Sequence, residues 1–382
     1  MNKQNDTKAD YNQEKKVMTN AINRVEIEDL LVFKGKFVAD FCPGVNVLIG
    51  SNGSGKTTLM KVMYAACQFV SESNKDKPDN NHFTLSDYFT NFYPDTSLVE
   101  QIKNRGKIKS SVLRIFNNSI NMSAPVLDIS SSNDLSALQI NLGEDGASSS
   151  LTLYQWCRLK PQAVFIPTAE MLSHARGFLA LNRERQLPFD KTEIDILSKA
   201  ELEPTREITS NANRLIELLR TQIGGQVVFD GKEFYVDKDD QSVGKVSYSF
   251  EASGIRKIGL LWKLLRNGLL ESGSILFWDE PEASINPELI PTLVDILLEL
   301  QRGGVQIFIA THSYDVARWF ELNKKAENLL RYFNLRRTDN GIVADVADDY
   351  VSLSNSLIED AGDMLLRRVT DVAAEKAGVI LK

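Results

Sequence analysis

The chain is predicted to be an α/β protein, a mixed, largely parallel sheet covered by helices, and three stretches carry that prediction. An apolar run, Val45-Asn46-Val47-Leu48-Ile49, leads through a glycine-rich loop into a helical run beginning at Leu59. In the C-terminal half, strands and helices alternate: a helix near Ile255–Leu270, a strand Ser274–Trp278, a helix Pro287–Gln301, a strand Val305–Ala310 and a helix after His312. Such alternation favours parallel strands buried on both faces. Third, the run Ile275–Trp278 is closed by two carboxylates, Asp279 and Glu280, which places acid at the end of a buried strand.

The bulk properties narrow the class. With 382 residues, 43% hydrophobic and 25% charged, the chain can build a large core without covalent staples. A net charge of −7 argues against a broad nucleic-acid-coating surface but leaves room for a local basic groove. Cys42, Cys67 and Cys157 are widely spaced, so neither a disulfide framework nor a zinc site is expected. No apolar run approaches the roughly 20 residues that span a bilayer, and the N-terminus has no apolar leader. A cytoplasmic protein without membrane contact is expected.

Taken in order, residues 1–20 are polar and read as a disordered tail. Residues 21–70 hold a strand-rich entry, with Arg24–Glu28 alternating and Leu31-Val32-Phe33 apolar, followed by the loop and its helix. Residues 71–244 read as an inserted lobe with strands and helices of the head's second half. It opens on a loop, carries a basic run at Lys103, Arg105, Lys107 and Lys109, and continues from Ser111 in short strand-like pieces separated by serine-rich turns. A run of this kind is ordinarily a solvated face. Within the same span, Ala163–Ile166 has buried-strand character, Thr192–Ala200 and Ala212–Gln222 are helical, and Gln226–Val236 is a hairpin with an Asp-Gly turn. Neither helix is long or heptad-regular enough for a coiled-coil arm. Residues 245–340 complete the head, and 341–382 form a C-terminal extension with a solvated acidic turn at Asp345, Asp348 and Asp349.

The loop Gly50-Ser51-Asn52-Gly53-Ser54-Gly55-Lys56-Thr57-Thr58 has the G-x-x-x-x-G-K-T spacing of a phosphate cradle, in the strand–loop–helix context the motif needs. Glycines let successive N–H groups point inward, and the helix N-terminus adds partial positive charge. Lys56 is placed to reach the β and γ phosphates of ATP, and Thr57 to offer its hydroxyl to Mg²⁺. Asp279 would share that cation, and Glu280 would polarise a water for attack on the γ-phosphate. His174, after a strand-Pro junction, reads either as a contact near the nucleotide edge or as a half-buried surface histidine.

These residues resemble a known family. Asp279-Glu280-Pro281-Glu282-Ala283-Ser284-Ile285-Asn286-Pro287 is similar to the Walker B motif and D-loop of ABC-type ATPases, and Thr311-His312-Ser313 to their switch histidine. Ser253-Gly254 resembles a degenerate ABC signature, with Ile255-Arg256-Lys257 where transporters carry glycine and glutamine, and Asn286 stands where they usually carry aspartate. For the Q-loop glutamine, Gln139, Gln155 and Gln162 all remain open. The long span from Thr58 to Ser253 exceeds that of a transporter cassette and points to the SMC/RecF/OLD-like branch. The resemblance implies a P-loop NTPase of ABC type with an antiparallel β N-terminal lobe and an inserted α/β lobe.

The resemblance further implies that ATP is held between two chains. Lys56, Thr57, Asp279, Glu280 and His312 would come from one, and Ser253, Gly254 and in one version Arg256 from the other. Arg256 reads otherwise as a salt-bridging residue on a helix face, and Phe33 or Lys34 is a candidate for stacking on adenine. The function implied is a homodimeric or higher-order ATPase switch that governs a separately encoded, nuclease-like effector in bacterial antiviral defence, with nucleic acid or a phage component as trigger. The residues after Asp349 are too few for the Toprim nuclease domain of OLD proteins, which places any nuclease in another chain. A RecF/SMC-like DNA repair or recombination ATPase is the alternative, and a transporter cassette a third reading that the degenerate signature disfavours.

Overall fold

The computed structural model describes residues 21–73, 111–117, 127–131, 139–140, 161–185, 187, 189–353 and 367–372. The expected N-terminal tail, the basic run at Lys103–Lys109, Gln155, Cys157 and the turn at Ser148–Ser150 lie outside the described residues. In chain order the strands are β1 (Ile22–Leu30), β2 (Phe33–Asp40), β3 (Val45–Ile49), β4 (Ser111–Asn117), β5 (Leu127–Ser131), β6 (Gln139–Ile140), β7 (Ala163–Ile166), β8 (Gly225–Phe229), β9 (Phe234–Lys238), β10 (Lys245–Ser247), β11 (Ile275–Asp279), β12 (Gln306–Ala310), β13 (Leu330–Thr338) and β14 (Gly341–Ala347). The helices are α1 (Lys56–Ser73), α2 (Phe178–Arg185), α3 (Lys191–Ala200), α4 (Ser210–Ile223), α5 (Ser253–Arg266), α6 (Ile290–Arg302) and α7 (Tyr314–Asn323).

The central sheet runs β14-β13-β3-β12-β11-β7. Every pairing from β13 to β7 is parallel, and β14 closes one edge antiparallel. All residues of β3, β11, β12 and β7 are buried, as a sheet covered on both faces requires. Period-two alternation divides each strand between two cores. In β11, Leu276 and Trp278 join the core formed with α3 to α7, whereas Ile275 and Phe277 join the core under α1 and the antiparallel sheet.

On the α1 side, in-register pairing places Phe165, Phe277 and Phe308 opposite one another across three strands. Their rings form a ladder, with Phe277 and Phe308 stacked at 5.0 Å and Phe165 and Phe277 at 6.2 Å. Tyr64 of α1 lies on it, 5.5 Å from Phe165, and its hydroxyl donates to Asp195 of α3 at 3.0 Å. Lys61, one turn earlier, pairs with Asp190 at 2.6 Å. Asp190 also caps α3 through a capping box with Glu193. The helix that carries the phosphate loop is thereby fixed on two sides, by an aromatic floor and by α3.

The second sheet has the order β2-β1-β4-β5-β6 and is antiparallel throughout. Strands expected in an inserted segment thus continue the N-terminal sheet, because β1 offers β4 an edge whose backbone groups need partners. The strands β10-β9-β8 form a separate small sheet, with the expected turn at Asp230-Gly231. The turn between β13 and β14 falls at Asp339-Asn340, so β14 belongs to the central sheet and Asp345 lies in a strand, not in an acidic turn. Among the described residues no helix is long and apolar enough to cross a membrane.

Gly341 joins the two large sheets. Its φ is +126°, and a Cβ there would sit 2.1 Å from the Lys34 carbonyl oxygen, a backbone atom that cannot swing aside. Gly341→Ala is therefore expected to cost about 2–4 kcal/mol, from backbone strain and overpacking together. The thermal midpoint measures it, and an unchanged midpoint would show that the two sheets can part at this point without loss.

Candidate functional site

The phosphate loop joins β3 to α1. At Gly50 φ is +142°, and an added Cβ would lie 2.3 Å from the Leu335 carbonyl oxygen, so β13 presses directly on the loop and excludes any side chain there. Gly53 and Gly55 also have positive φ, which curls the chain into a cup at the N-terminus of α1. Lys56 is buried, and its ammonium donates to the carbonyls of Gly50 at 2.7 Å and Ser51 at 3.1 Å. Burial pushes its pKa down, against the opposing pull of Asp279, Glu280 and Glu282. Asn52 and Gly53 are exposed at the lip of the cup, and Thr58 is half-buried in the first turn of α1. Ser54 Oγ is buried without a hydrogen-bond partner among the described residues.

Strand parity delivers the acid. Asp279 shares the face of Ile275 and Phe277, the face that α1 covers, and so meets Thr57. The Thr57 hydroxyl donates to Asp279 at 3.0 and 3.1 Å to its two oxygens. Burial pushes the Asp279 carboxyl above the usual carboxylate range; the Thr57 hydrogen bond opposes this and the Glu280 charge adds to it. Thr168, just past the end of β7, also hydrogen-bonds Asp279. A hydroxyl and a carboxylate side by side make an oxygen-only donor set, which suits a hard cation such as Mg²⁺.

Glu280 has φ +48°, a left-handed conformation rare for a side-chain-bearing residue. Its N–H donates to the Ala310 carbonyl at 2.8 Å, and its Oε1 lies 3.1 Å from His312 Nδ1. His312 follows β12 on a short segment braced by Thr311, whose hydroxyl donates to Glu282 at 2.6 Å and accepts from the Ser313 N–H at 2.9 Å. Asn286 accepts from the Glu288 N–H and opens the short helical turn before α6. The structure thus brings Lys56, Thr57, Asp279, Glu280 and His312 into one cluster.

Ser253 and Gly254 begin α5, as the signature reading requires. They pack on the loop after Glu280: Ser253 Oγ donates to the Ser284 carbonyl at 3.1 Å, and a Cβ on Gly254 would touch that same oxygen at 3.3 Å. Phe250, three residues before Ser253, is 85% exposed. Arg256 pairs with Glu170 of its own chain at 3.5 Å, the salt-bridge reading of the two considered. Phe33 is 1% exposed and packs 4.8 Å from Phe37, so core packing removes it as a base-stacking residue. Lys34 is exposed and donates to the Asp339 carbonyl.

Of the three glutamines, Gln162 sits before β7 and donates to the Gly268 carbonyl, at the end of the strand away from Asp279. Gln139 belongs to β6 in the other large sheet. Thr168 stands instead where β7 reaches the cluster, a residue that no spacing rule picks out. His174 is exposed on a single helical turn, beside a cavity of about 380 Å³ lined by Met171, Phe178 and Phe189. Glu282, Thr311 and Lys257 stood inside the quoted motifs, but the sequence assigned none of them a role of its own. Among the described residues no group of three or more His, Cys, Asp or Glu side chains could hold a metal.

Comparisons with known proteins bear on the family and the fold. A family model described as an AAA domain matches residues 24–230, more than half of the chain. A second, described as "AAA domain, putative AbiEii toxin, Type IV TA system", matches residues 169–317. Among curated proteins, the arginine transport ATP-binding protein ArtP of Haemophilus influenzae is 37% identical over 54 residues, 14% of this chain and 22% of that protein. The L-cystine import ATP-binding protein TcyN of Bacillus subtilis is 26% identical over 88 residues, 19% of this chain and 34% of that protein. The chain therefore spans 22% and 34% of the length of these relatives. Among solved structures, an Smc head bound to the C-winged helix domain of ScpA superposes with a TM-score of 0.53 at 14% identity, over 85% of this chain and 97% of that one. That likeness is one of fold.

Proposed function

The chain belongs to the AAA-domain family, and from that premise we propose that it is a cytoplasmic, ABC-type ATP-hydrolysing switch that dimerises around ATP and governs a separately encoded effector. The observation that carries the chemistry is the meeting of Thr57 with Asp279 beside Lys56, with Glu280 held next to His312. The N–H groups of the loop and the Lys56 ammonium bind the β and γ phosphates, and the buried, unpartnered Ser54 hydroxyl supplies a further donor inside the cup. Thr57 and Asp279 would hold Mg²⁺, which when bound neutralises charge on the phosphate oxygens.

Glu280 accepts a proton from water as the water oxygen bonds to the γ phosphorus and the bond to the bridging oxygen breaks, releasing ADP. His312, 3.1 Å from Glu280, keeps that carboxylate aimed. Ser253 and Gly254, at the start of α5, receive the γ-phosphate presented by a second copy of the chain. In the domain division that follows, residues 21–70 and 245–340 supply these groups; of the span 71–244, β7 lies in the same sheet and brings Thr168 to Asp279, β14 of the extension 341–382 closes that sheet, and the remainder of the two spans carries the signal outward.

Antiviral defence is the favoured setting. The match of residues 169–317 to a family described by a toxin and a toxin–antitoxin system supports it. The Smc head of similar fold, bound to a domain of a second protein, supports a separate partner. The effector is read as nuclease-like from the family resemblance alone.

The test is affinity purification of the Glu280→Gln protein with its genomic neighbours co-expressed, in ATP and Mg²⁺, followed by sizing and mass spectrometry. A stoichiometric partner with nuclease activity on an ATP-held dimer is expected. A lone dimer retaining DNA, with salt-sensitive binding, would replace this reading by the SMC-like repair ATPase.

A further inference from the structure

Among the described residues, four other than glycine have positive φ: Asp29, Leu31, Glu280 and Ser284. The first two flank the β1–β2 turn. The other two lie in the loop between β11 and α6, and α5 holds both by their carbonyl oxygens. Ser253 Oγ donates to the Ser284 oxygen at 3.1 Å, and Lys257 Nζ donates to the Glu280 oxygen at 3.0 Å. Ser253 and Lys257 are four residues apart, so they occupy one face of the helix.

Lys257 is an unusual residue to find there. It is 3% exposed, on a helix whose buried residues are apolar apart from it and Lys263, and its ammonium lies within the field of Glu282, Glu280, Asp279 and Glu170. A lysine buried for packing alone would be replaced favourably by a hydrophobic residue of similar volume. What this one does is grip a backbone atom of the residue that carries the base. The Glu280 carbonyl also accepts the Ala283 N–H at 3.0 Å, while the Glu280 N–H is held by Ala310 at 2.8 Å. With both peptide planes held, the direction in which the side chain leaves the backbone is set, and one of those holds comes from the helix whose first residues face a partner.

We propose that Lys257 is a positioning residue that couples α5 to the aim of the Glu280 carboxylate, so that γ-phosphate from a second copy, docking on Ser253 and Gly254, sets the base on the opposite side of the same loop. The proposal rests on the reading of Glu280 as the base and of Ser253-Gly254 as the partner-facing signature. It adds a path between two sites on one chain. Hydrolysis in one half of the dimer then depends on occupancy of the other through a single ammonium–carbonyl contact.

The experiment compares Lys257→Met, Glu280→Gln and the double variant in the full-length chain, by steady-state ATPase, single-turnover hydrolysis and nucleotide affinity. Lys257→Met is expected to lower kcat at least tenfold while KM and nucleotide affinity stay within threefold. In the Glu280→Gln background the same change should lower the single-turnover rate less than twofold, because the group it aims is already gone. Lys257→Arg, which keeps a charged donor, should recover most of the lost kcat. Lys257→Gln, too short to reach the carbonyl, repeats the test should the methionine variant not fold. A kcat within twofold of wild type in Lys257→Met, or losses that multiply in the double variant, would overturn the proposal. Glu280→Gln alone reports on the base: full activity there removes the base reading, whereas a dead Glu280→Gln beside an active Lys257→Met removes only the coupling.

Discussion

Glu280→Gln is expected to lower ATP turnover by about 10²–10⁴-fold, the usual contribution of a positioned general base, while leaving ATP bound. The substitution keeps the shape of the side chain and the backbone contacts that hold Glu280 in its left-handed conformation, so the fold is not disturbed. It removes the proton acceptor beside His312 and one negative charge from a site already holding Asp279 and Glu282. Less repulsion of the incoming phosphates should favour the ATP-loaded state. In ATP and Mg²⁺ the variant should elute as a dimer where the wild type, turning over, reverts to monomer. If Glu280→Gln hydrolysed ATP at the wild-type rate, the base would have to be another group.

Lys56→Ala is expected to abolish measurable nucleotide binding at concentrations that saturate the wild type. Hydrogen bonds from a charged donor contribute about 1.5–3 kcal/mol each, and Lys56 is the one ammonium that reaches into the cup among the described residues. The alanine variant should nonetheless fold. Burial disfavours the charged form of Lys56, and of its two partners the Ser51 carbonyl belongs to an exposed residue that water can satisfy. Calorimetric titration with ATP and a thermal melt of the empty protein separate the two effects. Binding within threefold of wild type would show that the loop N–H groups suffice without the lysine.

The parts of the site legible in the sequence are those that local chain geometry builds. The strand Val45–Ile49, the cup and α1 are contiguous, so spacing alone describes them. Asp279 and Glu280 end an apolar strand, and His312 lies two residues past the next one. What escaped the sequence depends on pairing between distant strands. Thr168 reaches Asp279 because β7 runs parallel to β11 in register, Ile166 opposite Trp278, and nothing within either segment announces the other. Lys257 was legible as a departure from the transporter signature, but its role required the carbonyl of a residue in another element. The sequence left Phe33 between a core aromatic and a base-stacking residue for the converse reason: an aromatic next to a phosphate loop looks available, and only the packing of β2 against the loop shows it as core.

The divided burial of β11 acts as a proofreading code for the site. Its residues alternate between a phenylalanine ladder on one side and a core containing Trp278 on the other. A slip of one residue would force an indole among the stacked rings and a phenyl ring into the indole's berth, and in the same movement swing Asp279 away from Thr57. Misregistered chains are therefore rejected by bulk before they can present a misplaced carboxylate. The apolar residues that never touch ATP are what certify the charge that would.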